Sequence, residues 1–299
     1  MQGAHENRAH SRPIAPVGAS IYPRRSIKMS VHFKGARNMN TQVLFEKKGQ
    51  IGYITFSSSE GINLLSVPVM ASLEARLDEI EQMPEIRVLI FSGEGRTFLA
   101  GADIDEMARA PGDFGRAFSQ RGQRFMSRVA KFDHAVTIAA LNGPALGGGC
   151  ELALACDLRV MTESATIGFP EVSLGLIPGW GGTQRAFALI GPARVRRMLL
   201  TGEKLPATKA HEIGLTNELV EPQKLMSTAE ALAATILANG PAAVRLAKHV
   251  LCAHEAAWLE RGFAGEAECF GKAFINEESR EGLRAFLEKR TPSWAASLG

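Results

Sequence analysis

Apolar and polar residues alternate from Val43 to Glu46 and again from Ile51 to Ser57, with Lys48-Gly49-Gln50 between the two runs. Alternation of this kind predicts strands, and a glycine between them permits the tight turn of a hairpin. After Ser66 the period changes. Met70, Leu73, Leu77 and Ile80 recur at helical spacing, with Ser66 suited to cap the helix, Pro68 to its first turn and Met83-Pro84 to stop it. Val88 to Phe91 reads as a buried strand, Phe114 to Val129 as an amphipathic helix, and Val136 to Leu141 as a strand of small and β-branched residues. This alternation predicts an α/β core. Beyond Gly181 the chain turns mainly helical, with helices predicted at Ala193 to Leu200, Met226 to Ala238, Ala242 to His254 and Glu281 to Lys289. A soft boundary falls between Leu200 and Val220.

Residues 1–40 lack this periodicity and are rich in Arg, Ser, Pro and Ala, so they cannot bury enough surface to offset the entropy of ordering. They are expected to be a flexible basic leader, with seven Lys or Arg against Glu6 alone. Its local charge is +6 in a chain of net +3, which leaves the body at −3. An Arg-rich, acid-poor start is the composition of an organelle transit peptide, and a start codon assigned upstream of Met29 or Met39 would look the same. The expected location is accordingly the bacterial cytoplasm, or the mitochondrial matrix if the leader is a transit peptide. A basic patch on such a leader is weak support for nucleic-acid binding, because a folded reader places its basic residues on one structured face. At 299 residues and 45% hydrophobic content, the whole chain is long enough for one substantial core with a helical appendage. No apolar stretch approaches the roughly 18 uninterrupted residues of a membrane span. Cys150, Cys156, Cys252 and Cys269 form no C-x-x-C pair, so free thiols and no structural metal are expected.

Two glycine-bearing segments follow strands: Phe98 to Ile104 and Asn142 to Leu152. The second contains Gly147-Gly148-Gly149 ahead of an apolar run, Cys150 to Cys156, that reads as a helix. Gly148 and Gly149 would then sit at its amide-rich positive end, where an oxyanion can bind. Close packing of helix on strand is the commoner reason for such a glycine triplet taken alone, and a phosphate loop fits poorly because no Gly-Lys-Ser/Thr follows. Glu151 lies in the first turn of that apolar helix, a place that suits capping or catalysis. Glu171, taken alone, reads as a solvated loop glutamate. The histidines show no spacing that suggests a triad.

In order along the chain stand AGAD-I (Ala100 to Ile104), NG-x-A-x-GGG-C-E-LALACD (Asn142 to Asp157), PE-x-x-LG-x-IPG-x-GGTQR (Pro170 to Arg185) and EG-x-x-AFLEKR (Glu281 to Arg290). Together they resemble the crotonase, or enoyl-CoA hydratase/isomerase, family from about Val43 to Trp294. The resemblance implies a spiral of repeated ββα units over residues 41–205, followed by a helical trimerisation region over 206–299, assembled as a homotrimer or a dimer of trimers. It implies a hydratase acting on an acyl-CoA, with no cofactor beyond the coenzyme A of the substrate. Both glutamates are retained, which favours hydratase over isomerase members. By the same resemblance, Glu151 orients and deprotonates the water, Glu171 supplies the proton to C2, and the amides of Ala100 and Gly148 form the oxyanion hole. The segment Ala100, Gly101, Ala102, Asp103 and Ile104 would lie beside the CoA arm, and Phe286 and Lys289 would reach CoA, often from a neighbouring subunit. One departure is Gly61 to Ser66, which puts a leucine where the family has alanine near the adenine pocket. Trp180 fills a variable place in its loop, where it would line the acyl pocket or serve packing. The rival expectations are a methylglutaconyl-CoA-type branched hydratase, an RNA-binding module using the leader with Arg194, Arg196 and Arg197, and a catalytically silent subunit.

Overall fold

The structure, a computed structural model, describes residues 41–296; the basic leader, 1–40, lies outside the described residues. Nine strands are present among them: β1 (Gln42–Lys48), β2 (Ile51–Ser57), β3 (Val88–Gly93), β4 (Val136–Leu141), β5 (Ala145–Leu146), β6 (Leu158–Thr162), β7 (Thr166–Gly168), β8 (Lys204–Pro206) and β9 (Glu218–Val220). The hairpin β1–β2 forms where the alternation predicts it, with Lys48 paired to Ile51. From β2 onward, β3, β4, β6 and β9 add in parallel, giving a six-stranded sheet in the order β1-β2-β3-β4-β6-β9. The short strands β5, β7 and β8 make a second sheet of three.

Each turn of the chain sends one strand to the large sheet and a second segment to the small one, then forms a helix. β4 and β5 precede α4 (Gly148–Ala155), and β6 and β7 precede a 3-10 turn (Pro170–Leu174) and α5 (Gly182–Thr201). After β3, Leu99 bridges to Ala145 of the small sheet before α2 (Ile104–Arg109). This repetition is the ββα spiral.

The large sheet is covered on both faces, which is why its parallel strands are almost continuously apolar. Leu89, Phe91, Ala139 and Leu141 belong to the main core with α1 (Val67–Ile80) and α3 (Phe114–Ala130). Val88, Ile90, Ile138, Ala140 and Val160 face Leu225, Ala229 and Ala233 of α7 (Leu225–Leu237). The sheet therefore continues past residue 205, through β9, and the helical region packs on it. Ser66 caps α1 by accepting from the Val69 amide, as its sequence predicts.

Three helices differ from their predicted extents. The segment predicted at Ala193 to Leu200 is the second half of α5, which begins at Gly182 and breaks at Gly191, where φ is +75°. The helix predicted at Ala242 to His254 runs on as α8 (Pro241–Ile275), where Gly262 and Gly271 lie against Gln184 and Arg116 instead of ending it. The last predicted helix starts earlier, as α9 (Glu277–Leu287), with Asn276 capping it.

Two buried cations hold the helix that matters most. Arg159 donates to the carbonyls of Ala153 and Cys156 at the C-terminal end of α4. Next to it Asp157 accepts from the Thr137 amide and, at 2.7 Å, from Lys248 of α8. Those bonds fix the C-terminal end of the helix that carries Glu151.

Candidate active site

A cavity of about 620 Å³ opens beside the small sheet, lined by each residue to which the family resemblance gives a role: Ala100 to Ile104, Gly148, Glu151, Glu171, Phe286 and Lys289. Trp180 lines it as well. Phe286 and Lys289 reach the cavity of their own chain, at the end of α9; Lys289 adopts a left-handed backbone conformation, φ +54°, just beyond the helix.

The glycine triplet divides its labour. Gly147 turns the chain from β5 into α4 with φ +51° and ψ −123°, which a side chain would strain. A Cβ on Gly149 would lie 2.1 Å from the Leu99 carbonyl oxygen, so this glycine serves packing. Gly148 opens the helix with its N–H unspent, as first-turn amides are. Gly148 also serves packing, since a Cβ there would lie 2.3 Å from the Trp180 ring, and it alone of the three pairs that role with an unspent first-turn amide on the cavity.

The expected partner amide needs correction. Ala100 N–H already donates to the Asn63 carbonyl at 2.8 Å and has no proton to offer a ligand. Across Gly101, whose φ is +119°, the chain reverses. Ala102 N–H has no protein acceptor among the described residues, and Ala102 lines the cavity. Asp103 spends its carboxylate on capping α2, accepting from the amides of Asp105 and Glu106.

Glu151 is 2% exposed, and its Oε1 accepts from the amides of Trp180 at 2.7 Å and Gly182 at 2.8 Å. Burial pushes its carboxyl well up from the usual range, aided by the charges of Glu266 and Glu171 and opposed by those two amides. Glu171 is not the solvated loop residue its sequence suggests. The 3-10 turn carries it inward, Oε2 is buried with no hydrogen-bond partner, and Oε1 lies against Gly147. Burial pushes Glu171 up to about 8, with the Glu266 charge adding to it and its own backbone amide opposing it.

Sequence reasoning missed Glu266, on α8 and 5% exposed. It accepts from the amides of Gly181 at 2.6 Å and Thr183 at 3.2 Å, from the Thr183 hydroxyl, and from Gln123 Nε2 at 3.0 Å. Four consecutive amides, 180 to 183, thus donate alternately to Glu151 and Glu266. Arg185, also buried, donates to the Trp180 carbonyl at 3.1 Å and faces both acids. The available signal was Gly262, one turn before Glu266 on the same helix face, where a Cβ would fall on Gln184 of α5.

A profile described as enoyl-CoA hydratase/isomerase matches residues 46–297. The chain belongs to the enoyl-CoA hydratase/isomerase family. Among relatives in this family, the short-chain-enoyl-CoA hydratase of Clostridium acetobutylicum is 38% identical over 249 residues, covering 83% of this chain and 95% of that protein. The crotonyl-CoA hydratase of Syntrophomonas wolfei is 36% identical over 249 residues, with the same coverage. The crystal structure of an enoyl-CoA hydratase from Bacillus anthracis matches with a TM-score of 0.67 at 35% identity, over 85% of this chain and 98% of that one. The spiral architecture is therefore that of the enoyl-CoA hydratase/isomerase family. All four cysteines are free, with Cys150 and Cys156 buried. Among the described residues no helix is long and apolar enough to cross a membrane. No cluster of three or more His, Cys, Asp or Glu is placed to hold a metal ion among them either.

Proposed function

We propose that the chain adds water reversibly across the 2,3 double bond of a trans-2-enoyl-CoA, giving a 3-hydroxyacyl-CoA, with Glu151 and Glu171 as its base and acid. The observation that carries this reading is the unequal wiring of two buried carboxyls on one cavity. Glu151 holds two amide donors, which favour its ionised form, whereas Glu171 holds none on its buried oxygen and keeps its proton near neutral pH.

Glu151 takes a proton from water as the oxygen attacks C3, and Glu171 delivers its own proton to C2. Negative charge that gathers on the thioester oxygen during this step meets the N–H of Gly148 and, in place of Ala100, that of Ala102. Main-chain donors fixed by the fold need no reorganisation as the charge develops. Glu266 acts behind Glu151 as a positioning residue by holding the alternate amides of the same loop. Phe286 and Lys289, at the exposed mouth, bind the CoA arm with the segment from Ala100 to Ile104.

Assembly as a homotrimer or dimer of trimers accounts for an apolar surface with no cover in one chain. Leu246 is 61% and Val250 66% exposed on α8, and the Phe187–Trp258 ring pair joins α5 to α8 at the surface. The free cysteines suit a reducing compartment.

The test is turnover of crotonyl-CoA, followed by loss of absorbance of the conjugated thioester with identification of the 3-hydroxy product. Rapid hydration is expected. No turnover of crotonyl-CoA or of branched enoyl-CoAs sinks the reading.

A further inference from the structure

The cavity has two unlike ends. At one, Glu60 and Lys289 are exposed and Phe286 is 57% exposed; at the other, Phe118, Trp180 and Phe270 are each no more than 3% exposed. Glu151, buried, and Glu171, half-buried with its Oε2 enclosed, lie along the same lining. The exposed end admits a ligand, and the aromatic end closes the cavity.

Trp180 is built into that closed end. Its indole lies 5.1 Å from the Phe118 ring, and Phe118 in turn lies 6.1 Å from Phe270, centroid to centroid. Two glycines make room for it. A Cβ on Gly122 would fall 1.9 Å from Cδ1 of the indole, and one on Gly148 would fall 2.3 Å from Cζ3. Gly122 sits inside α3, where glycine is disfavoured, so its presence there answers a steric demand from the indole. Gly148 brings the indole against the residue whose amide is assigned to the thioester oxygen.

We propose that the Trp180 side chain is the chain-length determinant, a wall that limits the enzyme to short enoyl thioesters. The inference rests on the hydratase reading for where the thioester lies, while the packing of the indole at the closed end stands without it. With the thioester oxygen at Gly148 and C2 and C3 between the acids, the acyl tail runs onto the indole. Added methylenes ordinarily strengthen binding as they leave water. Against a packed wall they force side chains off their places, and the gain reverses.

The experiment has two arms. In the first, kcat/KM is measured for trans-2-enoyl-CoAs from crotonyl- to decenoyl-CoA with wild type, Trp180→Phe and Trp180→Ala. The decenoyl value should fall at least about tenfold below the crotonyl value in wild type, and the ratio should recover by at least about tenfold in Trp180→Ala, with Trp180→Phe between. In the second, calorimetry compares butyryl-CoA with decanoyl-CoA, saturated thioesters that need no turnover. The same reversal should appear in their Kd ratio. A flat or rising wild-type profile in both arms overturns the wall, as does a ratio that Trp180→Ala leaves in place. If Trp180→Ala does not fold, Trp180→Phe and the wild-type profile still decide. Wild-type discrimination in calorimetry with no hydration of any thioester removes the hydratase reading and leaves the wall.

Discussion

The two ends of α4's neighbourhood treat a buried glutamate in opposite ways. On the α5 side the chain lays down four amides, two for Glu151 and two for Glu266, with Arg185 behind them. On the 3-10 side it supplies nothing to the buried oxygen of Glu171. An ionised carboxylate in a low-dielectric site needs donors, and a neutral carboxylic acid does not. On the proposed hydratase reading, this difference in wiring assigns two chemically identical side chains to the roles of base and acid. Position in the backbone does what a different residue type would otherwise have to do.

The contrast breaks most severely at the wired acid. Glu151→Gln leaves the amides a carbonyl acceptor but removes the base, and kcat for crotonyl-CoA hydration should fall by about a thousandfold with the fold intact by circular dichroism. Glu171→Gln should cost about a hundredfold. The same residue sharpens the contrast through pH. Glu171 gives its proton only below about 8, so hydration should decline as pH rises through that value. Dehydration of the 3-hydroxy product uses the same singly protonated pair with the proton on Glu151, so its kcat/KM should decline over the same range, and loss of that limb in both directions in Glu171→Gln would identify Glu171 as the acid.

Smaller effects test the supports. Glu266→Gln presents an amide N–H to the N–H of Gly181 or Thr183, and loss of one charge-assisted bond should lower kcat about tenfold with little change in KM. Removal of the Glu266 charge also lowers the Glu151 carboxyl's affinity for a proton, so the acidic limb of the pH–rate profile should move to lower pH. A kcat loss with an unmoved limb would reduce Glu266 to a structural part. Mildest of all, Lys289→Ala at the exposed mouth should raise KM about threefold and leave kcat unchanged, as exposed charges contribute little.

Much of this arrangement was legible before any coordinates. The β1–β2 hairpin, the capped α1, β3, α3 and β4 followed from periodicity because each is long enough for a pattern to repeat. β5, β7 and β8 have two or three residues and cannot show one. β6 was hidden by Arg159, a charge in a buried strand that makes sense only once the α4 carbonyls are beside it. The glutamates and glycines were found through their ordered motifs. The choice of Ala100 over Ala102 failed because sequence cannot say which way a peptide N–H points across a glycine at positive φ. Glu266 escaped because its partners lie more than eighty residues away, in a loop whose amides carry no sequence signature.

Trp180 holds two unrelated offices, and genetics treats them differently. Its N–H belongs to the main chain and survives every substitution except proline, while its indole is open to any replacement a codon allows. On the proposed readings the molecule thereby separates what it does from what it accepts: the amide that wires Glu151 stays in the backbone, and substitution at the very same position changes the substrates admitted. A lineage of such enzymes can diversify its diet at residue 180 without first forfeiting its chemistry.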